Sequence, residues 1–184
     1  MSETRATVPV IGIAGWKNSG KTTLATRLIA ELTRRGLKVA SIKHAHHAFQ
    51  IDDAETDSAR HRRAGAAQVA IVSATRWALI TELSGAREPP LAEVLARLDP
   101  CDLVIIEGYK AAPIPKIETR RRAAARAVPL ADRDPNVIAI AADHPVEARG
   151  LPVFALDDAG GIADFIIAAL GAIPPARSAT PPTG

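Results

Sequence analysis

The chain has 184 residues, 47% of them hydrophobic, 23% charged and 3% aromatic, with one cysteine and a formal net charge of +3. That length and apolar share suit one domain of ordinary size with a sizeable core and exclude a wholly disordered chain. Cys101, standing alone, excludes an intrachain disulfide and any zinc site built from cysteines.

Short apolar runs alternating with helical periodicity predict an α/β fold. Residues 8–14 (VPVIGIA) read as a buried parallel strand. Residues 22–35 carry Leu24, Leu28, Ile29 and Leu32 at helical spacing, and Gly36 supplies the stop. Residues 37–43 (LKVASIK) make a second strand. A polar loop over 44–58 precedes a short helix to Ala64. Residues 68–73 and 76–83 read as two adjacent strands, for which an antiparallel pairing is one arrangement, and a short helix over 91–98 follows Pro89 and Pro90. Residues 102–106 form the most hydrophobic strand; 115–119, 136–142 and 152–155 complete the set. A helix over 158–170, capped by Asp157 or Asp158, closes the body. Residues 174–184 (PPARSATPPTG) lack apolar periodicity and are expected to be a disordered tail, leaving residues 1–173 as one domain.

The longest apolar runs, at 103–106 and 138–142, fall far short of the roughly 20 residues a membrane helix needs. The N-terminus lacks the charged and apolar blocks of a secretory signal, so a soluble cytoplasmic protein without a membrane partner is expected. Positive charge gathers at Arg60, Arg62 and Arg63 and at Arg120, Arg121, Arg122 and Arg126, runs that read first as solvated faces. With so few aromatic stacking platforms, nucleic acid ranks below phosphorylated small molecules or acidic protein surfaces as a partner.

The strongest motif is residues 15–22, GWKNSGKT, a complete G-x-x-x-x-G-K-[ST] loop between a buried strand and an amphipathic helix. Glycines at both ends let the backbone curl its N–H groups toward phosphate oxygens, and the helix N-terminus adds positive potential. In such a loop Lys21 reaches the β- and γ-phosphates and the Thr22 hydroxyl binds Mg²⁺. The second ingredient is an acid at the end of another buried strand. Glu107 follows four apolar residues, and Gly108 lets the chain turn away beside a phosphate. Asp102, at the other end of that run, reads as a cap or surface residue.

Residues 43–47 (KHAHH), with Asp52, Asp53 and Asp57, concentrate metal and proton ligands at the end of the second strand. Three readings stay open for that segment: a transition-metal site, a switch-like loop whose Asp52 or Asp57 meets the nucleotide's Mg²⁺, and a plain polar loop. Lys110, Lys116 and Arg120 are candidate contacts to a second phosphate-bearing ligand or surface cations. Trp16 and Trp77 read as packing or loop-cover residues. Asp143 ends a strand where many P-loop proteins read the base, but the N-K-x-D form that signals guanine is absent.

In order, GWKNSGKTT, IKHAHHAFQID, DSARHRRAGA, LVIIEGYK and PKIETR resemble the motifs of the molybdopterin-guanine dinucleotide biosynthesis adapter proteins, the MobB family. The resemblance spans roughly residues 10–143; a departure is Glu55, where the family usually has glycine. It implies a P-loop NTPase three-layer fold, a mostly parallel sheet flanked by helices. It also implies a homodimeric GTP-binding protein with weak GTPase activity, assisting the guanylyltransferase that joins GMP to molybdopterin. By the same resemblance Gly15, Asn18, Ser19, Gly20, Lys21, Thr22 and Thr23 meet the phosphates. Thr22 and Glu107 hold Mg²⁺, and His47, Asp52, Asp57 and Gly108 face the nucleotide or the partner that bears molybdopterin. The guanylyl transfer belongs to that partner. A small-molecule kinase or ATP-dependent ligase, and a metal-delivery GTPase using His44, His46 and His47, remain as alternatives.

Overall fold

The computed structural model describes residues 8–45, 56–124 and 128–171. His46, His47, Asp52, Asp53, Arg126 and the 174–184 tail lie outside the described residues. In chain order the elements are β1 (Val10–Gly15), α1 (Lys21–Arg34), β2 (Val39–Lys43), α2 (Asp57–Arg63), β3 (Gln68–Val72) and β4 (Trp77–Thr81), then α3 (Leu91–Ala96), β5 (Leu103–Glu107), β6 (Lys116–Arg120), β7 (Val137–Ala142), β8 (Val153–Ala155) and α4 (Ala159–Leu170). They fall into two compact units, residues 1–44 with 98–184, and residues 45–97.

In the first unit the strands form one parallel sheet in the order β2-β5-β1-β6-β7-β8. β1 is wholly apolar because it is central and covered on both sides. Ile11 and Ile13 of β1, Ile105 of β5 and Ile117 of β6 pack in one cluster with Leu24, Leu28 and Leu32 of α1 and Ile162 and Ile166 of α4. Arg35, just past α1, ties the two helices together by reaching Asp164 and the Gly160 carbonyl. The same arginine and Arg34 hydrogen-bond Glu31 and lower its pKa to about 2. Asp158 caps α4 by accepting the Gly161 N–H, as the sequence predicts. The strands run outward from β1 in both directions, so the sheet's topological switch lies at its carboxyl end, where the β1–α1 loop sits.

The smaller unit holds the antiparallel pair β3–β4, with Val69 opposite Ile80 and Val72 opposite Trp77. The helix α2 lies against β3; Thr56 caps it by accepting the Ala59 N–H, and Arg62 meets Glu82 at 3.3 Å. No helix among the described residues is long and apolar enough to cross a membrane.

Lys116 is neither of the two things the sequence offers for it, a contact to a second phosphate-bearing ligand or a surface cation. It opens β6 in register with Gly12, three residues and about 10 Å before the sheet edge that carries the β1–α1 loop. The side chain is buried, and its ammonium group donates to Asp134 at 2.8 Å and to the Ala112 carbonyl. Strand alternation in sequence does not say at which end of a sheet a residue stands, and burial next to a carboxylate makes this lysine structural. Asp102 is a cap, accepting the Lys38 N–H at 2.7 Å.

Candidate phosphate-binding site

The loop after β1 is shaped by two left-handed residues, Asn18 (φ 62°) and Gly20 (φ 97°), which turn successive N–H groups to one side. Gly15 is required by crowding: a Cβ there would stand 2.4 Å from both Ser19 Oγ and Thr119 Oγ1. Ser19 is buried, its hydroxyl 2.7 Å from that of Thr119, and its N–H donates to the Trp16 carbonyl at 3.1 Å. Thr119 in turn donates to the Ala14 carbonyl. Ser19 therefore props the loop from beneath, with both its donors turned into the protein. Gly20 begins α1 without a side-chain cap, and no acid occupies the first turn, so the helix leaves its terminal N–H groups for an anion. Thr23 is exposed in that turn.

Lys21 curls over the loop, donating to the Trp16 carbonyl at 2.8 Å. Partial burial is the main cause that lowers its pKa below the ordinary lysine value; Lys110 and Lys43 add to this, and Glu107 opposes. Glu107, at the carboxyl end of β5, accepts the Thr22 hydroxyl at 2.7 Å and stands 3.9 Å from Lys43. Two hard oxygens so close suit a small divalent cation, since adjacent ligands of an octahedral Mg²⁺ at 2.0–2.1 Å stand about 2.9 Å apart. Lys110 sits 4.3 Å from the Trp16 ring centre, and Trp16 donates through Nε1 to the Val128 carbonyl at 2.8 Å. Among the described residues, Lys21, Lys43, Lys110 and the Glu107 carboxylate thus share the mouth of the loop.

Gly108 has a backbone reason to be glycine. Its φ is 99°, and a Cβ would meet His44 Cβ at 2.9 Å. Asp57 lies in the smaller unit, exposed and 3.7 Å from Arg60. Among the described residues no three His, Cys, Asp or Glu side chains gather to hold a metal.

A cavity of about 220 Å³ opens beside the loop, walled by Trp16, Ser19, Thr119, Arg120, Arg121 and His144 among others. On its wall Glu118, 1% exposed, accepts N–H bonds from Leu130 (2.7 Å) and Ala131 (3.0 Å) and one from Arg120 (2.8 Å). The sequence signal for Glu118 is a carboxylate inside an otherwise buried strand, a pattern no motif marks. Asp143 is engaged locally, accepting from the Arg122 N–H and from His144, whose hydrogen bond chiefly lowers its pKa.

Residues 10–143 match the family model for molybdopterin guanine dinucleotide synthesis protein B. The chain belongs to the MobB family. It is 37% identical over 162 residues to the molybdopterin-guanine dinucleotide biosynthesis adapter protein of Escherichia coli, spanning 87% of this chain and 92% of that one. The Haemophilus influenzae adapter protein is 41% identical over 143 residues, 76% of this chain and 78% of that one. The crystal structure of Bacillus subtilis MobB superposes with a TM-score of 0.69 at 28% identity, covering 88% of this chain and 98% of the other. Those structures share the P-loop NTPase-like α/β architecture seen here, so the expected fold class holds.

Proposed function

We propose that this MobB-family chain is a cytoplasmic GTP-binding adapter in the assembly of molybdopterin guanine dinucleotide. It holds Mg²⁺ and GTP and assists a guanylyltransferase that carries the chemistry. The observation that carries this reading is the Thr22–Glu107 pair set at the mouth of a complete phosphate loop. In it Gly15, Asn18, Gly20, Lys21, Thr22 and Thr23 receive the phosphates through backbone N–H groups and the Lys21 ammonium, and Ser19 supports the loop. Thr22 and Glu107 hold the metal, which supplies charge neutralisation on the β- and γ-phosphates. Molybdopterin is a second ligand of the assembly. The relatives' names support the adapter reading over the kinase, ligase and metal-delivery alternatives.

Titration of the purified protein with GTP and ATP, with and without Mg²⁺, alongside capture of a molybdopterin guanylyltransferase, tests this. GTP is expected to bind preferentially and at least about tenfold more tightly with Mg²⁺. Glu107→Gln keeps the metal-free affinity and loses the Mg²⁺ gain. Glu107 is engaged by Thr22 and stands 3.9 Å from Lys43, so it is not free to orient an attacking water. GTP turnover by the isolated chain is therefore expected well below about 1 s⁻¹, the lower edge for kinases. Preference for ATP, or fast turnover, removes the adapter reading.

The expected homodimer has a surface to match. Paired residues of a hairpin share a face, which puts Val72 with Trp77 and Ala70 with Leu79. Val72, Trp77 and Leu79 are 75%, 67% and 51% exposed, an apolar stripe that a second copy would cover. Light scattering is expected to give twice the 19.3 kDa chain mass for the wild type and the single-chain mass for Trp77→Glu. A monomeric wild type removes the dimer.

A further inference from the structure

Three arginines follow one another at the carboxyl end of β6, and their surroundings differ. Arg120 is committed: it donates to Glu118 at 2.8 Å and to the Glu147 carbonyl at 3.1 Å. Arg122 is exposed, and its backbone N–H, not its side chain, meets Asp143. Arg121 is partly buried and packs its guanidinium on the phosphate loop itself. A Cβ built on Gly20 would lie 3.1 Å from Arg121 Nε and 3.5 Å from Cζ. Yet that guanidinium makes no hydrogen bond or ion pair with any described residue, and Asp143 senses it only at longer range.

An arginine drawn partly out of water loses hydration, and protein carboxylates normally compensate it. Here none does. Gly20 immediately precedes Lys21, so the fork is aimed at the place where the loop gathers negative charge, from the β6 side. It also lines the 220 Å³ cavity, whose volume is below the roughly 300 Å³ at which whole-ligand pockets begin and suits one end of a nucleotide.

We propose that Arg121 is a second phosphate-binding cation of this site, forming a fork of charge-assisted hydrogen bonds to the nucleotide's phosphate chain. This rests on the P-loop reading above and adds a residue that the loop motif does not contain. A planar, permanently charged fork suits phosphate oxygens better than a point charge, so lysine replaces it only in part.

The test is calorimetric titration of wild type, Arg121→Ala, Arg121→Lys and Arg122→Ala with GTP and with inorganic tripolyphosphate, together with Tm. Arg121→Ala is expected to weaken both ligands about 10- to 100-fold and to leave Tm unchanged, because no internal bond is lost. Arg121→Lys recovers part of the affinity. Arg122→Ala, the same change in net charge one residue away, stays within about twofold of wild type. Arg121→Ala binding both ligands like wild type overturns the proposal while leaving the P-loop reading standing. A loss confined to GTP also overturns it, since the residue would then act on the nucleoside. Failure of the wild type to bind either ligand removes the P-loop reading and this proposal with it.

Discussion

Lys21→Ala lowers GTP affinity at least about 100-fold and leaves the thermal midpoint within about 2 °C of wild type. The two halves of that result have separate causes. In the free protein the Lys21 ammonium makes one hydrogen bond, to the exposed Trp16 carbonyl, and removing it leaves no buried group unsatisfied. In the complex it is the loop's mobile cation, and the loss of two charge-assisted bonds of about 1.5–3 kcal/mol each exceeds a hundredfold in affinity. The pH dependence follows from the direction of its pKa. Burial first, then Lys110 and Lys43, lower it against the pull of Glu107, whereas a bound phosphate chain raises it. Affinity is therefore full below the free-protein pKa and falls as pH rises through it, levelling once the pKa of the complex is passed. The fall begins below 10.5, the ordinary lysine value. Titrations between neutral and alkaline pH check it: the profile survives in Arg121→Ala and disappears in Lys21→Ala. A wild-type affinity that stays flat through 10.5 contradicts the environment described for this lysine.

How much of this was legible in the sequence differs by residue, for physical reasons. The β1–loop–α1 unit was readable because its motif prescribes backbone shape, and left-handed Asn18 and Gly20 carry that shape locally. Glu107 was readable because a charge ending a four-residue apolar run must leave the core at the strand's end. Nothing local separates Arg120 from Arg121, by contrast. Successive residues at a strand end point to opposite faces, so one meets Glu118 and the next meets Gly20, and only the assembled sheet decides which. Ser19 is a similar case: the motif leaves that position open, and Thr119, a hundred residues away, turns it inward. The antiparallel pairing of β3 and β4 became definite only with the register in hand, and that register is what lines up the apolar stripe of Val72, Trp77 and Leu79.

The largest expected stability effect lies at the other end of β6. Lys116 is 1% exposed, its stem running over Gly12, where a Cβ would press on Lys116 Cγ at 3.0 Å. Among the described residues Asp134 is its one carboxylate partner, at 2.8 Å, and also accepts the N–H and side-chain amide of Asn136. Asp134→Ala leaves an ammonium buried with only the Ala112 carbonyl and is expected to cost about 3 kcal/mol in denaturant unfolding. The acid limb offers a second check. Burial raises the Asp134 pKa, but the bonds from Lys116 and Asn136 outweigh it, and the net shift is downward from 3.8. A depressed carboxylate contributes stability that is present above its unfolded value and is lost as pH falls through the folded one, so Asp134→Ala should show a shallower loss below about pH 4. Replacing both partners separates the pair from its place in the core. Lys116→Met with Asp134→Leu removes the charge and fills the same space, and should recover most of the loss, because a buried ion pair offsets little more than its own desolvation. A double variant as unstable as Asp134→Ala would mean that β6 depends on the pair itself, through the loop at Ala112 that the ammonium holds, rather than on having no unpaired charge beneath Gly12.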